Sequence, residues 1–589
     1  MLKPNSFLLR IENQDYQRPA THALNAQAFL QLQDPNPFYI RHEPQQSGDF
    51  KLFFGERKDS QDIDFDTPIN GTSITYSITR NKVIVTSDLI GAEPVYYRYS
   101  GSTIQISNRL ENLVKENDCP DWVAIHCYLS FGYTLGESSF FKNIFQTLPN
   151  QRIEIDTESL ELKKLVADSA PHATNTESLA SNTRAVSNLL YNVMQTYSPM
   201  VLMTSAGWDS RALLATQKSP ITAAYTHGDI SSRECTIAKK LTGTLRMDHY
   251  FKDVKGMVID TKLLDEMLEL HGHCLWPIWH ISSRFISETL CLPIASGVIG
   301  ARMGGHNGFP SMGTRFQKII NSLHTINPKI VSKEKIINDV KKSTTAPKSF
   351  WFTSDKGSKL FRELANTTTK NIHDTLDKYL NEANDLSFAI EKFNYDHISR
   401  QYMMKQPILA QAFNGYYSPL SHPDLIKTVY SIPFDQRIQN RLTKGVISKL
   451  NPGLLNFPMA ATLTQAKHSI FTQEVSRILR ILFEKTFFKI KKNRSNFGWF
   501  NYDHLYSTDF FETTIESLNS DIWSKHRMLN RIPNNQVHGI DAGSTMDMIC
   551  KIKTVDYHLS KATVSLLKAQ FSATTTTLNN KRRSKAKTR

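Results

Sequence analysis

Met200-Val201-Leu202-Met203-Thr204 is an apolar run of buried-strand length. It leads directly into Ser205-Ala206-Gly207-Trp208-Asp209-Ser210 and then Arg211-Ala212-Leu213-Leu214-Ala215. A strand ending in a tight turn rich in Ser and Gly, followed by a helix, aims several backbone N–H groups at one point. The positive end of the helix lies at the same point, and together they favour a phosphate group. Gly207, and less fully Ala206, leaves the backbone open to a ligand, while Ser205 and Ser210 add hydroxyl donors. Asp209 would repel phosphate by itself, so its carboxylate implies Mg²⁺ between the two. The same spacing also suits a plain β-turn-α connection in which Ser and Asp cap the helix.

SAGWDSR resembles the SGGxDS loop of ATP pyrophosphatases, with Ala206 where the family has its first glycine. Arg211-Ala212-Leu213-Leu214-Ala215 is similar to the asparagine synthase branch of that family, which includes relatives from bacterial polysaccharide gene clusters. GAEPVYYRYSGSTIQISNRLENL, from Gly91, looks like the family's G-x-x-P-L-Y-Y segment and the strand and helix after it. FGYTLGESSFFKNIFQTLPNQRIEID, from Phe131, resembles its link between two domains, and SPLSHPDLIKTVYSIP, from Ser418, resembles its R-x-P-F-L-D segment. Lys444, in TKGVISKLNP, stands where the family has a pyrophosphate-contacting lysine. These ordered matches cover about residues 80–460.

The resemblance implies an α/β chain. An N-terminal Ntn-hydrolase-like α+β glutaminase domain would precede a parallel-sheet ATP-pyrophosphatase (adenine nucleotide alpha hydrolase-like) domain with a helical C-terminal part. It implies ATP and Mg²⁺ as cofactors. A carboxylate would be activated as an acyl-adenylate with release of pyrophosphate, and an amine would then displace AMP to give an amide. The implied phosphate-binding residues are Ser205, Ala206, Gly207, Asp209, Ser210, Ser296 and Gly297. Asp209 is the implied Mg²⁺ ligand and Lys444 an implied catalytic cation.

The chain departs from the family in three places. The glutaminase nucleophile is a cysteine at position 2, activated by the freed α-amine. Here position 2 is Leu2 and no cysteine precedes Cys119, so no glutamine hydrolysis is expected. The family's S-G-x-G-x-D-E-L-F-G-G-Y loop supplies an acid for Mg²⁺ and a catalytic glutamate. Its equivalent, Ser296 to His306, keeps Ser296-Gly297 and Gly304-Gly305 but is one residue shorter and contains no carboxylate. Arg302 in that loop can meet a phosphate as a planar cationic fork, which makes it the second catalytic candidate, but it cannot replace a metal ligand. His422 stands where the third motif has its aspartate.

Three functions fit. The first is an AMP-forming amide ligase joining ammonia, or an amine of a glycan precursor or peptide, to a carboxylate; a lasso-peptide-type cyclase is a special case. The second is a catalytically impaired homologue that binds nucleotide or a partner protein, which the missing acids favour. The third is a tRNA-modifying ATP-pyrophosphatase, which the basic charge permits and the glutaminase-like first domain opposes.

The elements that must position these residues divide the chain. Residues 1–165 read as strand-rich, with Lys82-Val83-Ile84-Val85-Thr86 and Thr103-Ile104-Gln105-Ile106-Ser107 separated by turn signals. Residues 166–182 are small and polar and read as a linker. From residue 183 to about 570, strands alternate with helices. Val186, Leu189, Leu190 and Val193 share a helical face, and ITAAYT, DHYF and LPIAS read as strands. That alternation predicts a parallel sheet covered on both faces. From about Ser349 onward the pattern is mainly helical.

The 589 residues allow two large domains or three to four smaller ones at roughly 100–200 residues each. Six of the positive charges behind the net +15 lie in KRRSKAKTR, so residues 571–589 read as a disordered basic tail able to touch anionic lipid or nucleic acid weakly. No signal peptide or membrane span is read, and six scattered cysteines suit reduced thiols, which places the protein in the cytoplasm. His271, His273, Cys274 and His280 cluster in sequence but lack a second ligand pair with zinc spacing, which favours ordinary packing. EVSRILRILFEKTFFKIKKNR is basic and amphipathic. Packing of Ile478, Leu482 and Phe483 on the core is favoured over an anionic membrane surface.

Overall fold

The computed structural model describes residues 2–12, 27–45, 48–57, 63–166, 175–216, 220–305, 332–346, 355–382, 386–491, 505, 508–519, 522–530 and 539–562. His306, residues 167–174 of the linker and the basic tail lie outside these residues.

Among the described residues eleven strands build the first part: β1 (Ser6–Glu12), β2 (Gln27–Gln33), β3 (Ile40–Pro44), β4 (Phe50–Gly55), β5 (Gly71–Ser77), β6 (Lys82–Ser87), β7 (Tyr96–Tyr99), β8 (Thr103–Ser107), β9 (Phe145–Gln146), β10 (Gln151–Asp156) and β11 (Leu162–Val166). They form two antiparallel sheets, ordered β2-β1-β8-β7-β9 and β11-β10-β6-β5-β4-β3. Alternation explains the layering. In β6 and β10 every second residue is buried, and Val83, Val85, Ile153 and Ile155 join Phe7, Leu9, Ile104 and Ile106 in one core between the sheets.

The second part holds a five-stranded parallel sheet of β12 (Met200–Met203), β13 (Ile221–Gly228), β14 (Asp248–Asp253), β15 (Ile294–Ala295) and β16 (Tyr416–Tyr417), ordered β14-β13-β12-β15-β16. Met200 and Leu202 point into one apolar cluster, with Val186 and Leu190 of helix Leu179–Gln195 and Leu442 and Val446 of helix Arg441–Leu450. Val201 and Met203 point into another, with Ile278 and Ile286 of helix Pro277–Leu290. Opposite-facing neighbours along β12 therefore put helices on both faces, as in doubly wound sheets. The chain is thus a mixed α/β molecule of antiparallel sheets, one parallel sheet and many helices.

The structure differs from the sequence reading at two places. Helix Leu179–Gln195 begins inside the segment read as linker, because the Ser178 side chain accepts from the Ser181 N–H and caps it. On helix Ile470–Lys491, Ile478, Leu482 and Phe483 are 51%, 57% and 66% exposed, so this face is not packed on the core. Among the described residues no helix is long and apolar enough to cross a membrane. All six cysteines are free thiols, and Cys127, Cys235, Cys274 and Cys550 are buried.

The two parts meet through polar contacts. Arg400 donates from Nε to the Gly91 carbonyl at 2.7 Å, Arg109 donates to the carbonyls of Leu268, Glu269 and Leu270, and Glu56 accepts from the Ser418 N–H at 2.8 Å.

Candidate functional site

In a β14-β13-β12-β15-β16 order, the connection leaving β12 runs towards β13 and the one leaving β15 runs towards β16, so the direction of winding reverses between β12 and β15. The switch point therefore falls between β12 and β15, and open α/β sheets bind ligands outside the carboxyl ends of the strands at such a point. Register fixes what lines it. Leu202 pairs with Ala295 and Ala295 with Tyr417, so the segments after all three strands emerge at one level. These are Ser205–Ser210, Ser296–Arg302 and Ser418–Ser421, the three segments that the sequence singles out.

They close around Asp209. A Cβ on Gly297 would lie 3.0 Å from the Asp209 Cβ, and one on Gly300 would lie 2.6 Å from its Cγ and 2.5 Å from Leu420 Cδ1. Only glycine fits where the second loop crosses the first. Ile299 between them has φ +79°, a left-handed backbone that a β-branched residue adopts only under strain, of roughly 1–3 kcal/mol. Asp209 is half-buried, and burial pushes its carboxyl up to about 7. Gly300→Ala is therefore expected to destabilise the chain by about 1–3 kcal/mol through overpacking, and to displace Asp209. Chemical denaturation measures the first effect and nucleotide turnover the second.

The Ser205–Gly207 donors already have partners. Ser205 N–H donates to Ser210 Oγ at 3.2 Å, Gly207 N–H to Ser205 Oγ at 3.1 Å, and Ala206 N–H to Glu234 Oε2 at 2.8 Å. The two hydroxyls lie 3.0 Å apart. A phosphate entering here would have to exchange with these internal bonds, the Glu234 carboxylate included. Ser296 is buried, and its hydroxyl accepts the Val298 N–H at 3.0 Å, which shapes the turn after β15. Arg211, fully buried, clamps the loop from behind. It donates to the carbonyls of Ala206, Leu454, Phe457 and Pro458. Burial pulls its pKa down to about 10 against the opposing pull of Glu234.

Arg302 is 2% exposed. Its guanidinium carbon lies 3.2 Å from the ring centre of Tyr395 and 5.1 Å from that of Tyr430. Among the described residues none of its three side-chain nitrogens makes a well-aligned hydrogen bond and it pairs with no carboxylate, although its charge and a side-chain contact work against the burial that raises the Tyr395 hydroxyl. Its backbone is held by the buried pair Arg437–Glu391, bidentate at 2.8 and 2.7 Å, with Arg437 Nη1 also donating to the Arg302 carbonyl at 3.1 Å. Tyr395 opens a π-helix, Tyr395–Met403, an element that often marks functional positions.

Lys444 lies apart from these contacts. Its ammonium donates to the carbonyls of Lys467 and His468 at 2.6 and 2.9 Å, although its helix packs on the helix that follows the loop. His422 Nδ1 stands 3.9 Å from the Asp424 carboxylate. In the histidine cluster, His271 Nε2 and His280 Nδ1 are 3.0 Å apart, and the Cys274 thiol meets the Cys550 carbonyl at 3.2 Å.

Among the described residues Asp209 lies where the Ser205–Ser210 and Ser296–Arg302 segments meet, with the Glu234 carboxylate on the Ala206 N–H beside it, and no group of three His, Cys, Asp or Glu side chains is placed to hold a metal. That donor set suits a magnesium ion that arrives with phosphate oxygens and water and takes a single protein ligand. It does not suit a metal held by the protein alone. Glu234, Arg211, Tyr395 and Tyr430 are the participants that the sequence reading missed. Arg211 stood in the quoted motif, whereas the tyrosines carry no local signal. No protein-family model matches the chain, and no curated protein matches it.

Proposed function

We propose that the chain is an ATP-dependent, AMP-forming amide ligase of the asparagine synthase type, with an Ntn-hydrolase-like first domain that lacks glutaminase activity. The observation that carries this reading is the convergence of Ser205–Ser210, Ser296–Arg302 and Ser418–Ser421 on Asp209 at the switch point of the parallel sheet.

In the proposed reaction a substrate carboxylate oxygen attacks the α-phosphorus of ATP. The bond from that phosphorus to the bridging oxygen breaks, and pyrophosphate leaves. An amine then attacks the acyl carbon, AMP departs with the bonding electrons, and the amine loses a proton. Ser205, Ser210 and the loop N–H groups hold phosphate oxygens, with Gly207 and Ala206 allowing close approach. Asp209 would hold a Mg²⁺ ion arriving with the nucleotide, and that ion would supply positive charge to offset the phosphates. Arg302 faces the negative charge that develops on the leaving group, which its unmatched guanidinium suits. Lys444 assists if it exchanges a backbone carbonyl for a phosphate oxygen.

ATP–pyrophosphate exchange against a panel of carboxylates, including amino acids, uronic acids and peptides, tests this. Exchange that depends on one class of carboxylate supports the ligase. ATP binding without exchange across the panel supports the second reading, a nucleotide-binding homologue. That reading is favoured by the carboxylate-free Ser296–Gly305 segment and by the partnered N–H groups of Ser205, Ala206 and Gly207. In neither case should the purified chain release glutamate from glutamine above a protein-free blank. No cysteine precedes Cys119, and burial pushes the Cys127 thiol well up. A coupled glutamate assay checks this.

A further inference from the structure

A cavity of about 100 Å³ lies between the antiparallel half and the helices around the parallel sheet, lined by none of the residues around Asp209. Glu93, Arg400, Lys405, His273, Gln411 and His558 are part of its wall. Hydrogen-bond accounting shows which of these groups the protein leaves unmatched. Both Glu93 oxygens accept phenolic protons, from Tyr39 at 3.0 Å and Tyr416 at 2.8 Å. Arg400 is held by the Gly91 and Thr147 carbonyls. Arg109, also in the wall, is saturated by Glu111 and three carbonyls.

Four groups remain. The Lys405 ammonium enters no ion pair among the described residues. Burial lowers the lysine's own pKa and pushes Glu93, the carboxylate that acts on it most, up to about 7, so an entering anion would favour the charged form of the lysine. Gln411 Oε1, His558 Nδ1 and His273 Nδ1 are buried without partners, on residues 7%, 4% and 6% exposed. His558 Nε2 faces the Gly272 carbonyl at 2.9 Å and must carry the proton, so its Nδ1 is a bare acceptor. Gln411 Nε2 faces His271 Nδ1 at 3.4 Å, which leaves Oε1 as a second bare acceptor. Buried polar atoms left in this way cost about 1–3 kcal/mol each unless something enters to meet them.

We propose that this cavity binds a small carboxylate that also carries a hydroxyl or amino group, the carboxylate meeting Lys405 and the N–H or O–H donor meeting Gln411 and His558. An anion alone would leave both acceptors unmatched, and a neutral donor would leave the lysine unbalanced. At about 10–15 Å³ per water-sized group, the space suits fewer than about ten such groups, which excludes nucleotides and sugars phosphates of larger size. The inference is independent of the ligase reading.

Calorimetry and thermal melting of the full chain with glycolate, glycine and acetate test it. Glycolate or glycine is expected to bind saturably and raise the melting temperature, and which of the two does so separates a hydroxy acid from an amino acid. Acetate, which lacks the second donor, should bind at least about tenfold more weakly. Lys405→Met should weaken binding by about tenfold or more. Gln411→Leu should narrow the gap between acetate and the preferred probe, and it carries the test if Lys405→Met does not fold. Asp209→Asn should leave this binding unchanged, which separates it from the nucleotide site. Absence of saturable binding by glycolate and glycine, or equal binding in wild type and the folded Lys405 or Gln411 variant, would overturn the proposal and leave water as the cavity's only content.

Discussion

Asp209→Asn is expected to abolish nucleotide turnover and, above pH 7, to raise the melting temperature of the ligand-free chain. Burial lifts the Asp209 carboxyl to about 7 from an ordinary value near 4. A carboxyl whose folded pKa lies above its unfolded value is favoured when protonated. Its contribution to stability is therefore fully present below about pH 4, declines as pH rises towards about 7, and is lost above that. Asparagine keeps the shape between Gly297 and Gly300 and never ionises, so this decline should vanish in the variant. Nucleotide-bound metal acts in the opposite direction, because a cation beside the carboxylate favours its charged form. Loss of this carboxylate should then cut pyrophosphate release by about 10³-fold or more. Melting curves from pH 5 to 9 on both proteins, with exchange assays at pH 8, check the two halves together. A variant that turns over ATP as the wild type does, or melts lower than it at pH 8, would show that Asp209 has a purely structural place.

That prediction depends on a residue legible in the sequence, and its surroundings show how far such reading goes. The run into Ser205-Ala206-Gly207-Trp208-Asp209-Ser210 announces itself because strand, turn and helix are contiguous, and local propensity suffices to read them. β13 and β14 were legible for the same reason. β16 was not. It has two residues, and only its pairing with β15 makes it a strand, so no periodicity exists to detect. Glu234 meets Ala206 across 28 positions, and Tyr395 meets Arg302 across more than 90. Such contacts are set by packing of the whole chain, which spacing within a window does not encode. The exposed Ile478, Leu482 and Phe483 show the converse: amphipathic spacing states that a helix has an apolar face, and says nothing of what covers it.

Arg302→Met is expected to leave the ligand-free chain as stable as the wild type or more so, while reducing pyrophosphate formation by about 10²-fold or more. Arg302 is 2% exposed, its guanidinium sits over the Tyr395 ring, and among the described residues none of its nitrogens makes a well-aligned hydrogen bond. A desolvated cation–π contact contributes about 2 kcal/mol, whereas burying a charge with unmet N–H groups costs several. Methionine fills much of the same volume against the two tyrosines and carries none of that cost. A residue retained for stability alone would show the reverse balance, so the excess donors are what a multiply charged leaving group would use. Arg302→Lys should rescue poorly, since an ammonium neither stacks as a plane nor offers a fork. Urea denaturation and exchange kinetics on the Met and Lys variants separate the alternatives. A Met variant that is destabilised but turns over normally would make Arg302 a clamp between Tyr395 and Tyr430. A Met variant that is stable, binds ATP and has lost exchange would place the guanidinium on the phosphates. Wild type that binds ATP without exchange, matched by the Met variant in both respects, would move the protein to the nucleotide-binding reading. In that case the Ser296–Arg302 segment would keep the shape of the site without its chemistry.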